Sequence, residues 1–180
     1  MINDKYLKNL QKLQTKLVKS GALNFTRDLP PSAELYLVGG AVRDCLLGLP
    51  DSGDYDFVIR NVSAKDLEKI LSKYGRVNFV GRHFGIFKFQ PNAEQPLAGI
   101  TKKSINSQKP APSSVEGSTV SCQPLDLALP RTEHSLGTGA YRDFKIQSDP
   151  NLAIETDLSR RDFTINAIAW KIFNHQITKS

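Results

Sequence analysis

Asp54 and Asp56 flank Tyr55 at the head of the alternating segment Tyr-Asp-Phe-Val-Ile-Arg, residues 55–60. On a strand, residues i and i+2 face one side, roughly 6.6 Å apart along the chain. Two carboxylates so placed repel each other unless a cation stands between them, and their hard oxygens suit a divalent ion such as Mg²⁺. The D-x-D pair alone is a weak signal, because acidic residues at an exposed strand end look the same. Asp126 is the third candidate. It alternates with Leu125, Leu127 and Leu129 on a strand expected over 124–129, and so falls on the face opposite the leucines. If that strand neighbours the one carrying Asp54 and Asp56, three carboxylates converge. Two-metal phosphoryl transfer, with ions about 3.5–4 Å apart, asks for that arrangement. The plainer reading of Asp126 is a half-buried, hydrogen-bonded side chain on an edge strand.

Two further segments carry groups that suit phosphate. Leu-Val-Gly-Gly-Ala-Val-Arg-Asp, residues 37–44, reads as a strand, a Gly39-Gly40 turn and a helix start. Glycines let backbone N–H groups come close to a phosphate, and a helix N-terminus adds partial positive charge. Equally, this is a simple strand-to-helix turn in which Arg43 pairs with Asp44. Arg-Arg-Asp-Phe-Thr-Ile-Asn-Ala, residues 160–167, is expected to open a helix. Arg160 and Arg161 at such a start oppose the helix dipole, a cost that a phosphate partner would offset. A nearby carboxylate such as Asp157 would serve as well. Asp162 and Asn166 are four residues apart, on one helical face, and together could reach a ribose hydroxyl; Asp162 is also the N3 residue of a capping box opened by Ser159.

The elements that must hold these groups follow from periodicity and punctuation. An amphipathic helix is expected over residues 1–20, with Tyr6, Leu7, Leu10, Leu13, Leu17 and Val18 near one face, then a linker over 21–31. A buried strand over 34–38 leads into a helix over 41–47 that Gly48 ends. A helix over 63–74 opens with the capping box Ser63–Asp66, and strands follow over 77–80 and 86–90. Residues 91–123 are rich in Ser, Pro, Lys and Gly and read as an inserted, disordered loop. Residues 131–150 read as a second, Gly-containing flexible stretch. A helical turn over 151–157, a helix over 159–170 and the start of a hairpin over 172–177 complete the reading.

Bulk properties bound the rest. The 180 residues suit one domain, and 39 % hydrophobic with 23 % charged residues is ordinary for a globular chain. No apolar run is long enough to cross a bilayer, so no membrane partner is expected. Cys45 and Cys122 have neither zinc nor C-x-x-C spacing, which points to a reducing, cytoplasmic setting. The Lys-rich first helix reads as a surface helix rather than a transit peptide. The net charge of +6, with pI near 9.3, favours a polyanionic partner such as RNA.

In this order, LVGGAVRDCLLG at 37–48, DYDFVI at 54–59, DLALPRTE at 126–133 and RRDFTINAIA at 160–169 resemble the class II tRNA nucleotidyltransferase and bacterial poly(A) polymerase family. The resemblance implies an α+β head domain, a five-stranded mixed β-sheet flanked by helices. It implies Asp54, Asp56 and Asp126 as catalytic metal ligands, with two Mg²⁺ ions. Gly39, Gly40 and Arg43, with Arg160, Arg161, Asp162 and Asn166, would bind the nucleotide. Arg131 and Glu133 would lie in a flexible loop that helps switch nucleotide specificity. The implied reaction adds AMP or CMP from ATP or CTP to an RNA 3′ end, such as tRNA. The family's neck, body and tail, which choose the base and grip tRNA, are not matched before Ser180. A second chain supplying them is one expectation; a nucleotide-binding head without independent activity is another. Nucleotidyl transfer to a protein or small molecule is a third, which the RRDFTINA segment disfavours.

Overall fold

The computed structural model describes residues 4–80, 85–92, 124–135 and 144–172, with side chains omitted between 133 and 146. Its centre is a six-stranded sheet of order β3-β4-β5-β2-β1-β8. The strands are β1 (Glu34–Val38), β2 (Asp56–Arg60), β3 (Gly75–Val80), β4 (Ile86–Pro91), β5 (Leu125–Ala128) and β8 (Ala169–Ile172). β2 and β5 run parallel and every other neighbouring pair antiparallel, so the sheet is mixed. A separate two-stranded ribbon pairs β6 (Arg131–Ser135) with β7 (Phe144–Ser148).

One face of the sheet carries the core. Leu35 and Leu37 of β1, Phe57 and Ile59 of β2, Phe87 and Phe89 of β4, and Leu125 and Leu127 of β5 alternate onto it and are almost wholly buried. Three helices cover them: α1 (Asp4–Lys19), α2 (Gly40–Leu47) and α3 (Ala64–Tyr74). α1 contributes Leu10, Leu13 and Leu17, while Tyr6, Leu7 and Val18 from the same predicted stripe remain exposed. The α3 start is as the sequence suggests: Ser63 accepts a hydrogen bond from the Asp66 N–H, which satisfies one orphan donor of the first turn. α2 ends on Gly48 in the left-handed region. The opposite face is thinner. α4 (Ile154–Ser159) packs Ile154 and Leu158 over Tyr36, Val38 and Val58 and leaves the rest of that face open.

Several sequence expectations need correction. The span 159–170 is not a helix: α4 ends at Ser159, Thr164–Asn166 is a single 3-10 turn, and Ala169–Ile172 is a strand. Pairing against β1 in four register pairs, Leu35↔Ile172 to Val38↔Ala169, satisfies the open edge of β1, which a helix there would leave bare, so tertiary pairing overrides local propensity. The stretch 131–150 contains the β6–β7 ribbon. The linker over 21–31 contains a 3-10 helix, Asn24–Asp28, whose Phe25 is fully buried edge-on against Phe89. The main sheet has six strands where five were implied. Of the loop expected over 91–123, Pro91 is instead the last residue of β4 and residues 93–123 lie outside the described residues; of the hairpin expected over 172–177, Ile172 ends β8 and the rest lies outside them.

Candidate functional site

The open face of the sheet carries the acidic residues. β5 lies beside β2 in parallel, and Asp56 and Asp126 are direct register partners, with the Asp126 N–H donating to the Tyr55 carbonyl at 3.2 Å. Register partners share a face, so both carboxylates point away from the leucine core. Asp54 precedes the strand and is exposed. The Asp56 carboxyl is held above the ordinary aspartate range, first by partial loss of hydration, then by the negative charges of Asp54 and Asp126. Arg161 and Lys88 pull the other way and do not cancel this. Lys88, on β4, places Nζ 3.3 Å from Asp126 Oδ2.

Lining the same cleft of about 460 Å³ as these carboxylates are Arg131, Arg160, Arg161, Asp162 and Asn166. The arginines are not at a helix start. Arg160 is the C-cap of α4, where the dipole favours a cation, so the expected electrostatic conflict does not arise. Both are gathered by Asp157, a carboxylate with no solvent exposure. Its Oδ1 accepts from Arg160 Nε at 3.1 Å, Arg160 Nη2 at 3.0 Å and the Arg131 backbone N–H at 3.1 Å. Arg161 Nη2 stands 3.8 Å from Oδ2. The sequence offered Asp157 only as an alternative partner for Arg161. Its place four residues before Arg161 was the available signal, and its full burial was not legible.

The glycine turn packs beside the arginines. Gly39 has φ of +71°, and a Cβ there would meet Arg161 Nη1 at 3.2 Å, so both the backbone and the space ask for glycine. Its N–H donates to the Ile168 carbonyl at 3.0 Å, joining the turn to the segment that leads into β8. Arg43 pairs with Asp44 at 2.8 Å and donates from Nη1 to Asn166 Oδ1 at 2.7 Å. Arg43 is thus tied to the cleft through Asn166, although Gly39, Gly40, Arg43 and Asp54 do not themselves line it. Asp162 and Asn166 both line the cleft, but without a helix between them the i,i+4 reasoning does not apply. Arg131 opens β6 and lines the cleft; Glu133 lies on the same strand, its side chain outside the described residues.

The donor set fits a hard divalent cation in chemistry: carboxylate oxygens, two of them in register, under repulsion that a cation would relieve, with the Lys88 ammonium already beside one of them. Among the described residues no three His, Cys, Asp or Glu side chains are drawn together around one point. Asp56 and Asp126 are therefore the pair that the sheet itself holds in register, while Asp54 lies just before the strand.

Comparison with known proteins agrees with this architecture. Residues 35–179 match the family model described as the Poly A polymerase head domain. The chain is 37 % identical over 134 residues to a multifunctional CCA protein of Xylella fastidiosa (strain 9a5c), covering 74 % of this chain and 23 % of that protein. It is 35 % identical over 136 residues to the multifunctional CCA protein of Xanthomonas campestris pv. campestris (strain B100), covering 76 % and 24 %. The chain thus spans about a quarter of the length of these relatives. The fold is also that of a solved CCA-adding enzyme, apo form II, with a TM-score of 0.53 at 22 % identity, covering 89 % of this chain and 29 % of that one. Among the described residues no helix is long and apolar enough to cross a membrane. With sheet order, carboxylate pair and arginines in hand, the chain belongs to the Poly A polymerase head domain family.

Proposed function

We propose that this chain is the catalytic head of a metal-dependent nucleotidyltransferase that adds AMP or CMP from a nucleoside triphosphate to an RNA 3′ end, a tRNA end above all. The observation that carries the reading is the in-register pair Asp56 and Asp126, lining one cleft with Arg131, Arg160 and Arg161. Carboxylates and guanidinium groups in one cleft suit a ligand that joins a divalent cation to a polyanion, which is what a metal-bound triphosphate is.

In this reading the RNA 3′-hydroxyl oxygen attacks the α-phosphorus, a new phosphodiester bond forms, the bond to the β-phosphate oxygen breaks, and pyrophosphate departs. Asp54, Asp56 and Asp126 would hold the Mg²⁺ ions, which when bound acidify the attacking hydroxyl and stabilise charge on the leaving group. Arg160 and Arg161, pinned by Asp157, bring positive charge to the triphosphate side. Asn166, hydrogen-bonded to Arg43, would meet the sugar, and Asp162 lines the same cleft. Arg131 stands at the cleft end of β6, the strand that also carries Glu133, where a change of ribbon position would alter the space for the base. The names of the relatives, which refer to CCA, support tRNA as the RNA.

The test is transfer of label from ATP or CTP to tRNA lacking its CCA end, in the presence of Mg²⁺, with chains bearing neck and body segments supplied in parallel. Labelled RNA that disappears in Asp56→Asn supports the reading. Label that reaches protein instead, or no label on RNA under any of these conditions, overturns it.

A further inference from the structure

Lys88 belongs to none of the sequence motifs, yet the sheet delivers it to the carboxylates. It is the register partner of Asp126, which is the partner of Asp56, which is the partner of Val38. The row across the open face therefore reads cation, anion, anion, apolar. Lys88 Nζ lies 3.3 Å from Asp126 Oδ2, and its side chain is more than half exposed. The packing role of β4 is filled from the other face by Phe87 and Phe89, so the fold does not need a lysine at this position.

A bare divalent ion that approaches Asp56 and Asp126 meets a positive charge already resting on one of its ligand oxygens. An ion chelated by a triphosphate carries net negative charge, and the same ammonium attracts it. On the strength of the nucleotidyl-transfer reading, we propose that Lys88 is a selectivity residue: it weakens binding of the free ion and strengthens binding of the metal–triphosphate complex, so that metal enters with its nucleotide rather than ahead of it. With the complex bound, Asp126 would help to hold the ion, and the Lys88 ammonium would be available to the phosphates.

The distinguishing feature is opposite signs for two ligands. Free Mn²⁺ and Mg²⁺–CTP are each titrated calorimetrically, without RNA, into the full chain and its variants. Lys88→Met is expected to tighten free Mn²⁺ by about two- to fivefold and to weaken Mg²⁺–CTP by a similar factor, the range for one exposed ion pair. Lys88→Glu moves both further, Lys88→Arg keeps both near the wild-type values, and added salt shrinks every shift. Two ligands that shift in the same direction, two that do not shift, or an arginine variant that behaves like methionine would each overturn the proposal. Circular dichroism checks that the variants are folded. Asp56→Asn separates the two layers of the argument. If it binds free Mn²⁺ as well as wild type, the metal reading fails and takes this inference with it. If it loses the ion while the Lys88 series does nothing, only the inference fails.

Discussion

The two faces of the central sheet are made from alternate residues of the same strands, and they do opposite work. On β2, Phe57 and Ile59 enter a core sealed by three helices, while Asp56 and Val58 point to a face that one short helix half covers. On β5, Leu125 and Leu127 face the core, and Asp126 faces the cleft. The closed face is apolar and tolerates no charge. The open face holds like charges whose repulsion Lys88 and Arg161 relieve only in part. Stability is concentrated where chemistry is absent, and the site is free to carry a cost because the other side absorbs it.

That division of labour can be broken in either direction. The largest expected effect is on the open face: Asp56→Asn should lower RNA labelling by about a thousandfold or more, upward of about 4 kcal/mol of transition-state stabilisation, with little loss of fold. Steady-state transfer kinetics beside a thermal melt check both halves. Next, on the closed face, Phe25→Ala should cost about 3–4 kcal/mol by denaturant unfolding, because it empties a fully buried site against Phe89. Ion binding by the molecules that remain folded should be unchanged. Asp157→Asn lies between the faces in kind. It should cost about 1–3 kcal/mol, since it weakens charge-assisted bonds to Arg160 and the Arg131 N–H, and should also weaken triphosphate binding by loosening the arginines. Calorimetry with CTP reads the second effect.

The smallest effect has an informative sign. The Asp56 carboxyl is raised in the folded state, so its ionised form is disfavoured by folding. Its contribution favours the fold below the ordinary aspartate range and is lost as pH rises through the raised value. Asp56→Asn should therefore stabilise the metal-free protein slightly at neutral pH, by less than about 1 kcal/mol for so open a site. The gain should shrink as pH falls into the carboxylate range. Saturating Mg²⁺ should reverse the sign, because the native carboxylate then has a cation to hold. Melting curves at pH 4 and pH 7, with and without Mg²⁺, give all four values.

How much of this was legible varies by element. Glu34–Val38 reads correctly because its apolar run, its length and the Gly39-Gly40 stop agree with one another. α3 reads correctly because its cap and its period do so too. The side of the sheet on which Asp126 falls could be inferred from its alternation with leucines. Which strand it neighbours could not, because parallel pairing of β2 with β5 is a long-range choice with no local signature. The segment after Ser159 misled for a clear reason. Ser159 and Asp162 imitate a helix start, while the real constraint is the unpaired edge of β1, supplied by residues more than a hundred positions earlier. Phe25 was hidden among turn residues, where composition outweighed a single aromatic. Asp157 looked like any helix carboxylate until three backbone and guanidinium groups were seen to share it.

One feature of the topology bears on how this head tolerates change. β4 and β5 are antiparallel neighbours, Phe89 opposite Leu125, so residues 93–123 connect two strands that a turn of a few residues would join. The entropy of closing such a connection grows only as the logarithm of its length, about 0.6 kcal/mol per doubling. Cutting it roughly eightfold should therefore alter stability by only about 2 kcal/mol. A change of length at this connection is thus a modest thermodynamic matter, and it falls at a point whose return strand reaches Asp126 one residue after it begins.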